Sequence, residues 1–249
     1  MASVLLNQIA LSNLKSAIQL AFPNCKSSHL TESMAAALGF KTNAALKAYL
    51  LNSSVNRHYG LLDGVAFMQR LKELGNSNLP LTYNFESLKD LDGVISTVPS
   101  GAYLHKYGTK RQIAWRNIMV FSINEALKKE LISLDIPSNW QSEPYIKQEP
   151  VLFDFYLPND LPVRVYISDA GFYELSIHAA VNPKNNSVKA FNAGFNAGDA
   201  FATSWLERET GAWLQNNSSQ FSCRKFLLES LASLEVKPLG YGDRGRIIL

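Results

Sequence analysis

The hydrophobic pattern of this chain changes period from 3.6 to 2 at about residue 151, and that change places antiparallel strands after a helical first part. Downstream of it, Val151–Tyr156, Val163–Ile167 and Phe172–His178 alternate apolar and polar residues, with Pro158-Asn159-Asp160 and Ser168–Gly171 between them. Three alternating runs separated by turn residues predict an antiparallel meander. One face would carry Val151, Phe153, Phe155, Val163, Val165, Ile167, Tyr173, Leu175 and Ile177. The other would carry Asp154, Tyr156, Arg164, Tyr166, Glu174, Ser176 and His178.

Upstream, apolar residues recur at helical spacing from Val4 to Ala21, in a pair of short helices at 30 to 50, and from about Leu61 to Leu74. A long helix is predicted over 109 to 134 with Pro137 as its stop, and two more over 190 to 215 and 221 to 234. The expected fold is α+β: a small N-terminal helical bundle with a helix-turn-helix-like pair over 1–75, and a domain over 76–249 whose three-stranded antiparallel meander is covered by helices. Residues 76–107, rich in Gly, Pro, Ser and Asn, would form a linker.

The pair at 30 to 50 bears on function. Ala35 and Gly39 have the spacing at which a DNA-reading helix-turn-helix places a small residue and then a glycine of positive φ. Lys41, Thr42, Asn43 and Lys47 would then reach phosphates and base edges, although the large Leu46 sits one position late for the second helix. Charge agrees in sign. The net charge is +3, and residues 1 to 75 hold seven Lys or Arg against three acids. A second basic group, Lys106, Lys110, Arg111 and Arg116, interleaves with His105, Tyr107 and Trp115 at the start of the long helix, where cations oppose the helix dipole unless an anion is near. The glycines of a P-loop are missing there.

The run Leu30–Leu50 followed by Leu62–Gly75 resembles a helical module of poorly characterised proteobacterial proteins, some of them labelled glyoxalase-related. Its marks are an alanine-rich helix ending in Leu38-Gly39-Phe40, Ala45-Leu46 in the next helix, and Phe67-x-x-Arg70-Leu71-x-x-Leu74-Gly75. The resemblance implies a bacterial protein, in a mobile-element setting, with a module for docking or binding, and it implies no glyoxalase chemistry, because the metal-ligating His and Glu positions are not matched.

The expected function is therefore a non-enzymatic binding protein whose leading ligand is nucleic acid, with Lys41, Thr42, Asn43, Lys47, Lys106, Lys110, Arg111 and Arg116 as its contacts and neither cofactor nor metal. A protein-docking subunit of a larger assembly is the alternative. A hydrolase using Asp154, Glu174 and His178 stands behind both, since Ser176 and His178 share a strand face without having to touch and no Gly-x-Ser-x-Gly elbow is present. The four histidines fall at no metal spacing, and Cys25 and Cys223 fit a reduced compartment. The tandem Phe-Asn-Ala-Gly of 191–198 would line a helix with glycines that a close backbone approach offsets. No apolar run spans a bilayer and no cleavable leader is evident, which predicts a cytoplasmic protein without a membrane partner.

Overall fold

A computed structural model describes residues 2–52, 58–98, 104–134 and 149–245. The chain divides into two compact units, Met1–Thr97 with Leu239–Tyr241 and Val98–Pro238 with Gly242–Leu249. Neither is the predicted architecture. The first unit is built on a three-stranded antiparallel sheet, and the second on a mixed sheet of seven strands where a three-stranded meander was expected.

In the first unit, β1 (Ala2–Leu5) lies between β2 (Tyr59–Leu61) and β3 (Val94–Ser96), antiparallel to both. The expected helix from Val4 starts later because Asn7 caps it: the Asn7 side chain accepts from Ala10 N at 2.7 Å, and α1 runs Gln8–Ala21. Val4, outside the helix, is buried as a strand residue together with Ala2. The helices α2 (Ser27–Ala37), α3 (Asn43–Asn52) and α4 (Gly64–Glu73) complete the unit. Leu14, Ile18, Leu30, Met34, Leu46, Phe67, Met68, Leu71 and Phe85 share its core. Residues 76–97 belong to this unit, and Tyr83 and Phe85 meet at 4.9 Å edge to face.

Gly39 ends α2 as its position requires. With φ +83° it lets Gly39 N reach Ala36 O at 3.0 Å and Phe40 N reach Ala35 O at 2.9 Å, the two bonds of a left-handed helix cap. The same bonds recur at Gly75, to Lys72 O and from Asn76 to Leu71 O.

In the second unit the strand order is β10-β8-β7-β6-β5-β4, and β9 pairs β7 off this path. The strands are β4 (Val151–Tyr156), β5 (Pro162–Gly171), β6 (Glu174–Val181), β7 (Ala200–Glu207), β8 (Trp213–Gln215), β9 (Ser222–Cys223) and β10 (Gly242–Gly245). β10 runs parallel to β8, and the other pairs are antiparallel. β5 and β6 join through Phe172 and Tyr173, both at positive φ, which continues β5 beyond the expected turn. The helix predicted over 190–215 is absent. A turn at Gly194–Asn196 leads into β7 and β8 instead, and a Cβ on Gly198 would stand 2.4 Å from Val181 O. That glycine allows a close backbone approach, to β6 and not within a helix.

Helix α5 (Lys110–Lys128) lies on the face of the sheet formed by Val163, Val165, Ile167, Leu175 and Ile177, all fully buried. Trp115 Nε1 donates to Thr203 O on β7 at 3.2 Å. The helix stops short of Pro137, which lies outside the described residues: Glu130, at φ 55°, closes it with bonds to Leu127 O and from Leu131 to Ala126 O. Helix α6 (Lys225–Ala232) packs on α5. Among the described residues no helix is long and apolar enough to cross a membrane.

Candidate nucleic-acid interface

Two buried asparagines of α5 bring the chain after α6 alongside it. Asn117 Nδ2 donates to Leu231 O at 3.0 Å and Leu234 O at 2.7 Å, and Asn124 Nδ2 donates to Lys237 O at 2.9 Å. The strand β10 then returns past the start of α5, where Tyr107 donates to Asp243 O at 2.5 Å and His105 N to Arg244 O at 2.8 Å. Between these segments opens a cleft of about 480 Å³, lined by Lys106, Tyr107, Ile113, Arg116, Asn117, Leu234–Lys237 and Arg244.

Four cations surround this cleft against Glu235 and Asp243. Arg116 is the fixed one: it pairs with Asp243 at 2.5 Å and also donates to Asn117 Oδ1 at 3.0 Å. Arg244 touches the other oxygen of Asp243 at 3.8 Å and is exposed. Lys106 and Lys237 are exposed, and among the described residues neither is in an ion pair. Burial, then the Asp243 charge, pushes the Tyr107 hydroxyl far above its ordinary range, so it stays a donor. Ile113, Leu234 and Val236 give the cleft an apolar wall. Mobile ammonium groups, a planar guanidinium and an apolar wall suit a phosphorylated ligand with a flat, poorly hydrated part.

The other expected contacts are distributed differently. Lys110 pairs with Glu229 at 2.5 Å, and Arg111 donates to Phe221 O while its guanidinium lies 5.3 Å from the Phe221 ring. Both point to α6 and its approach, away from the cleft. The start of α5 is also capped from within, by Thr109 Oγ1 on Gln112 N and Gln112 Oε1 on Thr109 N, so no outside anion is needed there. In the first unit Lys41 and Lys47 are exposed, and Leu46 is buried beneath them. Thr42 Oγ1 caps α3 at Ala45 N, and Asn43 N donates to Glu32. Arg70 of α4 donates to Lys41 O, so α4 covers the turn while the outer side of α3 stays open. Arg57 and Arg246 lie outside the described residues.

The sequence reading missed Lys237 and Arg244, because nothing local ties them to α5. Of the hydrolase set, Asp154 is otherwise engaged. Asp154 is held by Arg164 through two contacts of 2.7 and 2.8 Å, which keep its carboxyl below the usual range, and among the described residues no three metal-ligating side chains gather. Ser176 and His178, however, do touch, at 3.0 Å.

Glu174 stands beside them on β6, across from Glu207 on β7. Burial, then its hydrogen bond with Glu207 and the Glu207 charge, raises its pKa to about 7. A carboxyl whose folded pKa lies above its unfolded value holds its proton longer when folded. It therefore costs stability as pH rises from the unfolded value through about 7. Glu174→Gln removes the cost: denaturant titration will show the variant matching the wild type at pH 4 and exceeding it by about 1–2 kcal/mol at pH 8, a figure reduced for solvent around a half-buried group.

Compared with protein-family models, curated proteins and solved structures, the chain has no match. Its functional reading rests on this geometry.

Proposed function

We propose that this is a nucleic-acid-binding protein, which takes the phosphate backbone in the cleft of the second unit. One observation carries the reading: Lys106, Arg116, Lys237 and Arg244, from three separated stretches of chain, converge on one open cavity with an apolar wall. Arg116, immobilised by Asp243 and Asn117, would fix the position of a phosphate. Lys106 and Lys237 would follow the backbone on either side, and a base would rest on Ile113, Leu234 and Val236. Lys41 and Lys47 of α3 form a smaller basic surface on the first unit. A cytoplasmic, bacterial setting belongs to this proposal.

The test is a salt-dependent titration with labelled single-stranded DNA, single-stranded RNA and duplex DNA. Four phosphate contacts predict a log–log slope of about −3 for single strands and slightly steeper for duplex. No binding at low salt to any of the three, or a slope near zero, overturns the proposal.

A docking subunit is the second reading, and α3 favours it. Its outer side exposes Ala44, Ala45, Ala48 and Leu51 beside Lys47, with Leu51 81% exposed, a surface better suited to another protein than to base edges. A stoichiometric protein complex that survives nuclease treatment and is lost in Leu51→Glu would establish it.

A further inference from the structure

The face of the large sheet turned away from α5 carries a group of side chains that nucleic-acid binding does not use. Ser176 Oγ lies 3.0 Å from His178 Nε2, and His178 Nδ1 lies 3.0 Å from the Val188 carbonyl oxygen. A carbonyl oxygen only accepts, so Nδ1 carries the ring proton and Nε2 offers its lone pair to the serine hydroxyl, which donates. The ring is packed among Tyr166, Phe191 and Phe201, and that burial holds its pKa below the ordinary value and keeps it neutral. Nucleophile, base and orienting acceptor are thus in line, with a backbone carbonyl in the place where many serine hydrolases have a carboxylate.

A pair of carboxyls stands on the same strand face but is engaged with itself. Glu174, two residues before Ser176, accepts from Gln215 Nε2 at 2.5 Å and shares a hydrogen bond with Glu207. The one proton those two carboxyls share lies between them, so neither is free to donate to a substrate oxygen. Beside Ser176, its strand partner Trp205 packs on Phe191 at 5.4 Å, and Phe191 is 44% exposed. Ser176 and Trp205 are only partly covered, so the face remains reachable.

We propose that Ser176 is the nucleophile of an acyl-transfer site on this face, with His178 as its base, acting on small carboxylic esters whose apolar part rests on Phe191 and Trp205. The Ser176 oxygen bonds to the ester carbonyl carbon as its proton passes to His178 Nε2. The carbonyl electron pair moves onto oxygen. Collapse breaks the bond to the alcohol, which leaves with the proton from His178. Water, deprotonated by the same nitrogen, then cleaves the acyl-serine, releases the carboxylic acid and restores the hydroxyl. The Val188 carbonyl acts through His178 and positions it.

The full-length protein is incubated with a fluorophosphonate probe and mapped by peptide mass spectrometry, alongside hydrolysis of 4-nitrophenyl acetate. The expected result is a phosphonyl adduct on Ser176, no adduct at that position and background hydrolysis in Ser176→Ala, and labelling about a hundredfold slower in His178→Gln. Absence of the adduct from Ser176 in the folded wild type, or equal labelling in His178→Gln, overturns the proposal. Where His178→Gln fails to fold, Ser176→Cys reports on the same contact. Alkylation of the new thiol at a pH well below that of Cys223, whose pKa burial pushes up to about 11, supports the pairing, and an ordinary thiol profile overturns it.

Discussion

Asn117→Leu will destabilise the second unit by about 3 kcal/mol in denaturant titration, a drop of roughly 6–12 °C in Tm. Leucine keeps the branched outline of asparagine but is larger and has no polar atom, so no cavity opens and the loss combines the missing hydrogen bonds with a smaller overpacking cost. It leaves the Leu231 and Leu234 carbonyls without their shared donor, and it takes an acceptor from Arg116. The residue is 1% exposed, so water does not replace those partners without rearrangement. Asn117→Asp separates the two parts of the effect. Its carboxylate keeps the bond from Arg116 but turns an oxygen toward two carbonyls, and it should destabilise at least as much at pH 7 and less at pH 4. Leu234–Lys237 forms one wall of the cleft, so both variants should also bind nucleic acid more weakly where they remain folded. Unchanged stability in both would mean that α5 does not hold the chain after α6 as described.

What was legible in the sequence follows from how local each signal is. The alternation over Val151–His178 registers burial residue by residue, and Val163, Val165, Ile167, Leu175 and Ile177 do face α5. Glycine caps are local too, which is why Gly39 and Gly75 could be read as helix ends. The four residues of β1 are too few for a period to separate strand from helix, and only Asn7, a capping residue inside an apolar run, marked the boundary. Ala200–Glu207 carries no strand signal because a strand buried on both sides loses its alternation, and seven of its eight residues are buried. The same locality limited the site. Lys106 and Arg116 sit within one basic, aromatic segment, whereas Lys237 and Arg244 arrive through side-chain bonds from α5 to residues more than a hundred positions away in sequence, and through the parallel pairing of β10 with β8. The Ser176–His178 contact needed the Val188 carbonyl, supplied by a turn covering the outer face.

The double variant Lys106→Glu, Lys237→Glu should lose nucleic-acid affinity by at least about a hundredfold at 50 mM salt while leaving thermal stability nearly unchanged. Each phosphate contact contributes through release of a condensed counterion, worth about one order of magnitude at that ionic strength. Two contacts are removed, and the new carboxylates add repulsion that 50 mM salt screens only beyond about 14 Å. Both side chains are exposed, and among the described residues neither is in an ion pair, so the folded state loses little. Arg116 makes the opposite case. Its pair with Asp243 is largely buried, at 17% and 9% side-chain exposure, and its removal would confuse lost binding with an unpaired buried acid. The informative quantity is the salt slope, which should become shallower by about 2 in the double variant on every nucleic acid that binds. A uniform loss of affinity with the slope unchanged would place the phosphates elsewhere, and α3, with Lys41 and Lys47, would then be the surface to reverse next.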